Sequence, residues 1–102
     1  MELGQQLQLV VAEVQAARQQ VASLSTQLRE IEGTIVAVKN QPEDLALHRQ
    51  MGTILVEVED RDGLISDLEK ALEQLNSALG SIKEKEQQLV ATYDELKRSI
   101  EG

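Results

Sequence analysis

The chain has no cysteine, no tryptophan and no phenylalanine, and Tyr93 is the one aromatic residue among its 102. Without cysteine there is no disulfide scaffold and no thiolate metal site. Compact interiors draw much of their buried area from aromatic side chains, so a pocketed, enzyme-like globule is not expected. His48 is the single histidine, which excludes a histidine metal cluster and leaves Ser-His-Asp chemistry hanging on one residue. A basic excess is missing as well. Eighteen acidic residues against ten basic give a net charge of −8, the wrong sign for a phosphate backbone. No apolar run approaches the ~20 residues of a membrane helix. The amino-terminal residues do not form a basic segment followed by an apolar core. There is no G-x-x-x-x-G-K-S/T loop for nucleotide, and Asp60 and Asp62 lack the spacing of an EF-hand. These absences predict a soluble cytoplasmic protein that is not an enzyme, needs no cofactor or metal, and binds neither nucleic acid nor membrane.

What the chain does contain is two long heptad runs. In the first, apolar or small residues fall at Leu3, Leu7, Val10, Val14, Ala17, Val21, Leu24, Leu28, Ile31, Ile35 and Val38, in alternating steps of four and three. The second reads Ile65, Leu68, Leu72, Leu75, Leu79, Ile82, Glu86, Leu89, Tyr93, Leu96 and Ile100, with Glu86 as its charged interruption. A seam of this kind belongs to helices that wind around a partner helix. The first helix is expected over 3–40, where Asn40-Gln41-Pro42 stops it because proline lacks the amide donor and crowds the preceding turn. The second is expected over 61–100, with Asp60-Arg61-Asp62-Gly63 supplying capping candidates. At ~1.5 Å per residue each arm would be roughly 50–55 Å long.

Between the runs the period changes from 3.5 to 2. Over 45–58, Leu45, Leu47, Ile54, Val56 and Val58 alternate with Ala46, His48, Thr53 and Glu57, the pattern of a β-hairpin turning at Met51-Gly52. Folding the chain there sets Leu7 against Leu96, Val14 against Leu89, Val21 against Ile82 and Val38 against Ile65, and in the hairpin Leu45 against Val58 and Leu47 against Val56. Each seam layer then joins an a position to a d position, as an antiparallel coiled coil requires. Glu86 falls opposite Ala17, where a small residue leaves space for the carboxylate. The expected fold is one domain over 1–102, dominated by helix: an antiparallel coiled-coil hairpin with a central two-stranded β-hairpin.

Two regions are not self-sufficient. A lone two-stranded hairpin is marginal in water, and its unpaired edges recruit other strands. Leu45, Leu47, Met51, Gly52, Ile54, Leu55, Val56 and Val58 are therefore read as an oligomerisation element rather than a turn packed back on the helix ends. At the free end, Leu9, Val11 and Val90 lie off the seam, whereas 15–34 and 66–88 carry no large apolar residue outside it. With Leu3, Leu7, Val10, Leu89, Tyr93, Leu96 and Ile100 they make an end more apolar than one seam can bury. Concentrated apolar surface marks a contact site; fraying ends, or packing on a neighbouring subunit, is the plainer reading.

Leu47-His48-Arg49-Gln50-Met51-Gly52-Thr53-Ile54-Leu55-Val56 resembles the hairpin segment of β-type prefoldin subunits: hydrophobic, aromatic, basic, any residue, hydrophobic, Gly, any residue, hydrophobic, Leu, Val. Glu84-Lys85-Glu86-Gln87-Gln88-Leu89 is similar to the Lys- and Gln-rich stretch of that family's second helix. His48 stands where the family usually has Tyr or Phe, and Glu57 where a basic residue is common. A single hairpin points to the β-type, since α-type subunits carry two. The resemblance implies a hexamer of two α-type and four β-type subunits joined through intersubunit β-barrels. It further implies arm tips that hold unfolded client proteins without ATP and deliver them to a group II chaperonin. The alternative is a structural coiled-coil scaffold or tether that holds no client.

Overall fold

The computed structural model describes residues 2–102. Two long helices enclose one antiparallel hairpin in the order α1 (Leu3–Asn40), β1 (Leu47–Met51), β2 (Ile54–Val58) and α2 (Arg61–Glu101). The heptad seam is the face that the helices cover. Every seam position of α1 from Leu7 to Val38 is buried or half-buried, as is every one of α2 from Ile65 to Leu96, Glu86 included. Leu3 and Ile100, the outermost, are exposed.

The chain packs as two compact units, Met1–Thr26 with Asn76–Gly102, and Gln27–Leu75. In the first, the helices run antiparallel: Arg18 meets Glu86, Val14 shares a groove with Tyr93, and Leu24 shares another with Ile82. Val14, Ala17 and Leu79 form its core. The start of α1 is fastened by Glu2, whose carbonyl accepts from the Gln6 amide at 3.0 Å. The Gln5 side-chain oxygen accepts from the Glu2 amide at 3.4 Å, one half of a capping box.

In the second unit, Ile35 and Val38 are the buried residues and the chain reverses. The Gln41 amide donates to the Val38 carbonyl at 3.3 Å, tightening the last turn of α1 before Pro42 ends it. The Leu45 amide then donates to the Pro42 carbonyl at 3.1 Å, closing a β-turn over Pro42–Leu45. Of the capping candidates, Asp60 is the one used: its Oδ1 accepts from the Gly63 amide at 2.9 Å, and its carbonyl accepts from Leu64. A Cβ on Gly63 would lie 2.5 Å from the Asp60 carboxylate, so glycine at the third helical position leaves the cap room to close.

The hairpin departs from the expected register. Leu47 faces Val58, Arg49 faces Val56 and Met51 faces Ile54, so the turn is Gly52-Thr53 rather than Met51-Gly52. Leu45, expected opposite Val58, sits in the turn before β1 and pairs with no strand residue. The reason lies in one dihedral angle. Gly52 has φ of +64° and no other residue type adopts positive φ among the described residues. A two-residue loop with positive φ at its first central position is a type II′ turn, whose twist suits the flanking strands. Placing Gly52 second would splay them. Because the slip is two residues, the side-chain faces are unchanged; a slip of one would have exchanged them.

Candidate functional site

The hairpin presents two unlike faces. Leu47, Arg49, Met51, Ile54, Val56 and Val58 share one, and His48, Gln50, Leu55 and Glu57 share the other, because directly paired residues point the same way. Leu47 and Val58 are half-buried near the strand ends, but Ile54 is 63% exposed and Leu55 67%, with Met51 and Val56 also open. The sheet has only these two strands, so both outer edges carry unpaired backbone groups. His48 and Glu57, the two departures from the family's hairpin pattern, are direct cross-strand partners. Leu45 is exposed beside the hairpin but outside the strands.

Arg61 holds the base of this region. Its Nη1 donates to the Gln41 carbonyl at 2.5 Å and its Nη2 to the Pro42 carbonyl at 3.0 Å, so the start of α2 satisfies carbonyls left over where α1 ends. Lys39 and Glu69 add an exposed ion pair at 3.3 Å. The sequence showed Arg61 only as one residue in a capping stretch; its reach across twenty residues leaves no local pattern to read. Val36 was also missed. It lies beside the seam residue Ile35 and is exposed, and the Ile-Val doublet was its only signal.

At the free end the ten candidate contact residues fall into three groups. Leu3, Leu9, Val11 and Ile100 are exposed, Leu9 to 50%. Val90 is half-buried off the seam, and Leu7, Val10, Leu89, Tyr93 and Leu96 are half-buried in it. Val11 and Val90 are brought together: with Val14 and Tyr93 they line an open groove of about 350 Å³, edged by Gln15, Arg18 and Asp94. Val90 also borders the next groove, with Val21, Lys83, Glu86 and Gln87. Leu9 joins neither. Two residues from Val11 on a helix of 3.6 residues per turn, it points about 200° away. The off-seam residues thus form one grooved face and one separate exposed leucine.

Glu86, the seam's interruption, is held from the other helix. Its Oε1 accepts from Arg18 Nε at 3.0 Å, next to Ala17, which is only 3% exposed. Arg18 was not legible in the sequence as the partner of Glu86, because it lies one position off the seam. Among the described residues, no group of three or more His, Asp or Glu is placed to hold a metal ion. No helix there is long and apolar enough to cross a membrane.

The sequence matches the family described as "Prefoldin subunit" (Prefoldin_2) over residues 1–102. It is 27% identical over 101 residues to prefoldin subunit beta of Thermoplasma volcanium, covering 92% of this chain and 82% of that protein. It is 24% identical to the same subunit of Thermoplasma acidophilum, with the same coverage. The crystal structure of the prefoldin beta subunit from Thermococcus strain KS-1 shares the fold at a TM-score of 0.86 and 22% identity, covering 96% of this chain and 85% of that one. The beta2 subunit of the same strain matches at 0.77 and 17%, covering 92% and 99%.

Proposed function

The chain belongs to the prefoldin subunit family, and from that membership we propose that it is the β-type arm of an ATP-independent holding chaperone. Membership itself carries a non-enzymatic, chaperone-type role exercised in assembly with other prefoldin subunits. Beyond that, the hairpin joins this chain to neighbouring subunits, two α-type with four β-type, through β-barrels. The free ends of the helices hold unfolded proteins in the cytoplasm and pass them to a group II chaperonin.

The observation that carries this reading is the apolar groove of Val11, Val14, Val90 and Tyr93, with Leu3, Leu9 and Ile100 exposed at the same end of the helices. Unfolded chains display apolar side chains in no fixed order. A shallow groove suits them better than a shaped pocket, because burial of apolar surface is non-directional. One such contact is weak, but several on a common scaffold gain by effective concentration, which permits release without hydrolysis.

The test is light scattering from a denatured client diluted into buffer without ATP, in the presence of the chain assembled with its α-type partner. Suppression near stoichiometric amounts is expected. Changing Leu9, Val11 and Val90 together to Ser should weaken it severalfold while helicity and assembly stay near wild type. A correctly assembled complex that suppresses nothing would make the protein a structural coiled coil. Loss of assembly in the triple variant would place these residues in a subunit interface.

A further inference from the structure

The uninterrupted part of the seam offers no natural stopping point. Each apolar layer is stabilised by burial much as the next is, so a helix pair that frays from its ends opens layer by layer. The layer at Glu86 differs in kind. Its carboxylate occupies a seam position with its side chain 24% exposed, and Arg18 Nε reaches it at 3.0 Å. Ala17, next to Arg18 in the chain, is the one small residue in the α1 seam and is buried. The other cations of α1, Arg29 and Lys39, lie in the Gln27–Leu75 unit, so Arg18 is the α1 cation placed at Glu86, while Lys83 borders the same groove from α2 itself. Among the described residues this is the one ion pair that crosses between the helices of its unit. Outward from it burial thins: Val14 is buried, Leu7 and Leu96 are half-buried, and Leu3 and Ile100 are exposed.

We infer that Arg18, Ala17 and Glu86 form a clasp that sets how far the free end of the helix pair opens. With Arg18 present, the closed layer holds a compensated charge, and opening past it separates the pair. Without Arg18, the same closed layer holds a half-buried seam carboxylate with no partner on α1, which favours the open form because partial burial of an uncompensated charge costs free energy. The clasp thus divides the helices of this unit into an inner stretch that stays closed and an outer stretch that yields.

Hydrogen exchange on the full chain tests this directly. In the wild type, amides of residues 3–14 and 89–100 should exchange faster than those of 17–24 and 79–86. Arg18→Met keeps the apolar stem and removes the charge; it should accelerate exchange about three- to fivefold and carry the fast region inward as far as Leu24 and Leu79, with 27–75 unchanged. A pattern within twofold of wild type would overturn the clasp. Exchanging the charges, Arg18→Glu with Glu86→Arg, should restore the wild-type boundary, whereas each change alone should not. Failure of the double variant to restore it would trace the effect to general helix damage and overturn the clasp as well. The clasp's use in capture rests on the function proposed above, but the exchange pattern does not. If the boundary moves while suppression of client aggregation is unaltered, the clasp stands and the contact role of the free end falls.

Discussion

The hairpin and the free helix ends expose the same kinds of residue, and they ask for different partners. At the hairpin, Met51, Ile54, Leu55 and Val56 stand open beside two strand edges whose backbone groups have no partner. Those groups are directional, so a protein partner that replaces their water must bring a strand in matching register. At the free end, Leu3, Leu9, Val11 and Ile100 stand open on helices, whose interior backbone groups are already paired within the helix. Nothing there selects a geometry. Under the function proposed, the hydrogen-bond state of the backbone beneath the exposed apolar area is what separates a joint from a grip.

The comparison breaks most sharply at the sheet. Replacing Ile54 and Val56 by Asp puts charge on the apolar face without touching the helices. Sedimentation should then show complete loss of assembly with other subunits, while circular dichroism keeps its helical signal. An assembled double variant would mean that the sheet is not the joint. A middle-sized effect is expected at Arg61. Its guanidinium donates two charge-assisted hydrogen bonds to backbone carbonyls, and such bonds contribute about 1.5–3 kcal/mol each at most. Arg61→Ala should lower stability in urea by about 2 kcal/mol, and Arg61→Lys should recover less than half, since an ammonium cannot span both oxygens in the same fork. The smallest effect is expected within α2. A Cβ on Gly80 meets nothing within 4 Å, so Gly80→Ala should raise the urea midpoint by the equivalent of about 1 kcal/mol. Client suppression should be untouched, because the residue lies outside the grooved face.

Most of the fold was written in periodicity. The alternation of four and three from Leu7 to Val38 names the covered face of α1, because any other face would leave eight or more large side chains in water. The change to period two located both strands for the same reason. What periodicity lacks is phase along the strand direction. Whether Gly52 comes first or second in its turn leaves the two faces identical, so the pattern could not choose between the registers; a backbone angle did. Side-chain bonds between distant residues were likewise out of reach. Arg18 and Arg61 look like ordinary solvated cations until Glu86 and the Gln41 and Pro42 carbonyls are brought to them. The candidate contact residues at the free end were legible as a departure from the seam. That Leu9 points away from Val11 follows from helical spacing alone, but that Val90 joins Val11 in a groove was not legible, because it depends on how α2 lies beside α1.

The fastening at Arg61 also has a consequence in time. The bonds that finish α1, turn the chain over Pro42–Leu45 and start α2 at Asp60 all lie outside the sheet. None of them waits for a strand from another molecule. A newly made chain can therefore complete its reversal and zip its helices before it meets any companion. In the assembly proposed above, the sheet is then the last piece to be satisfied.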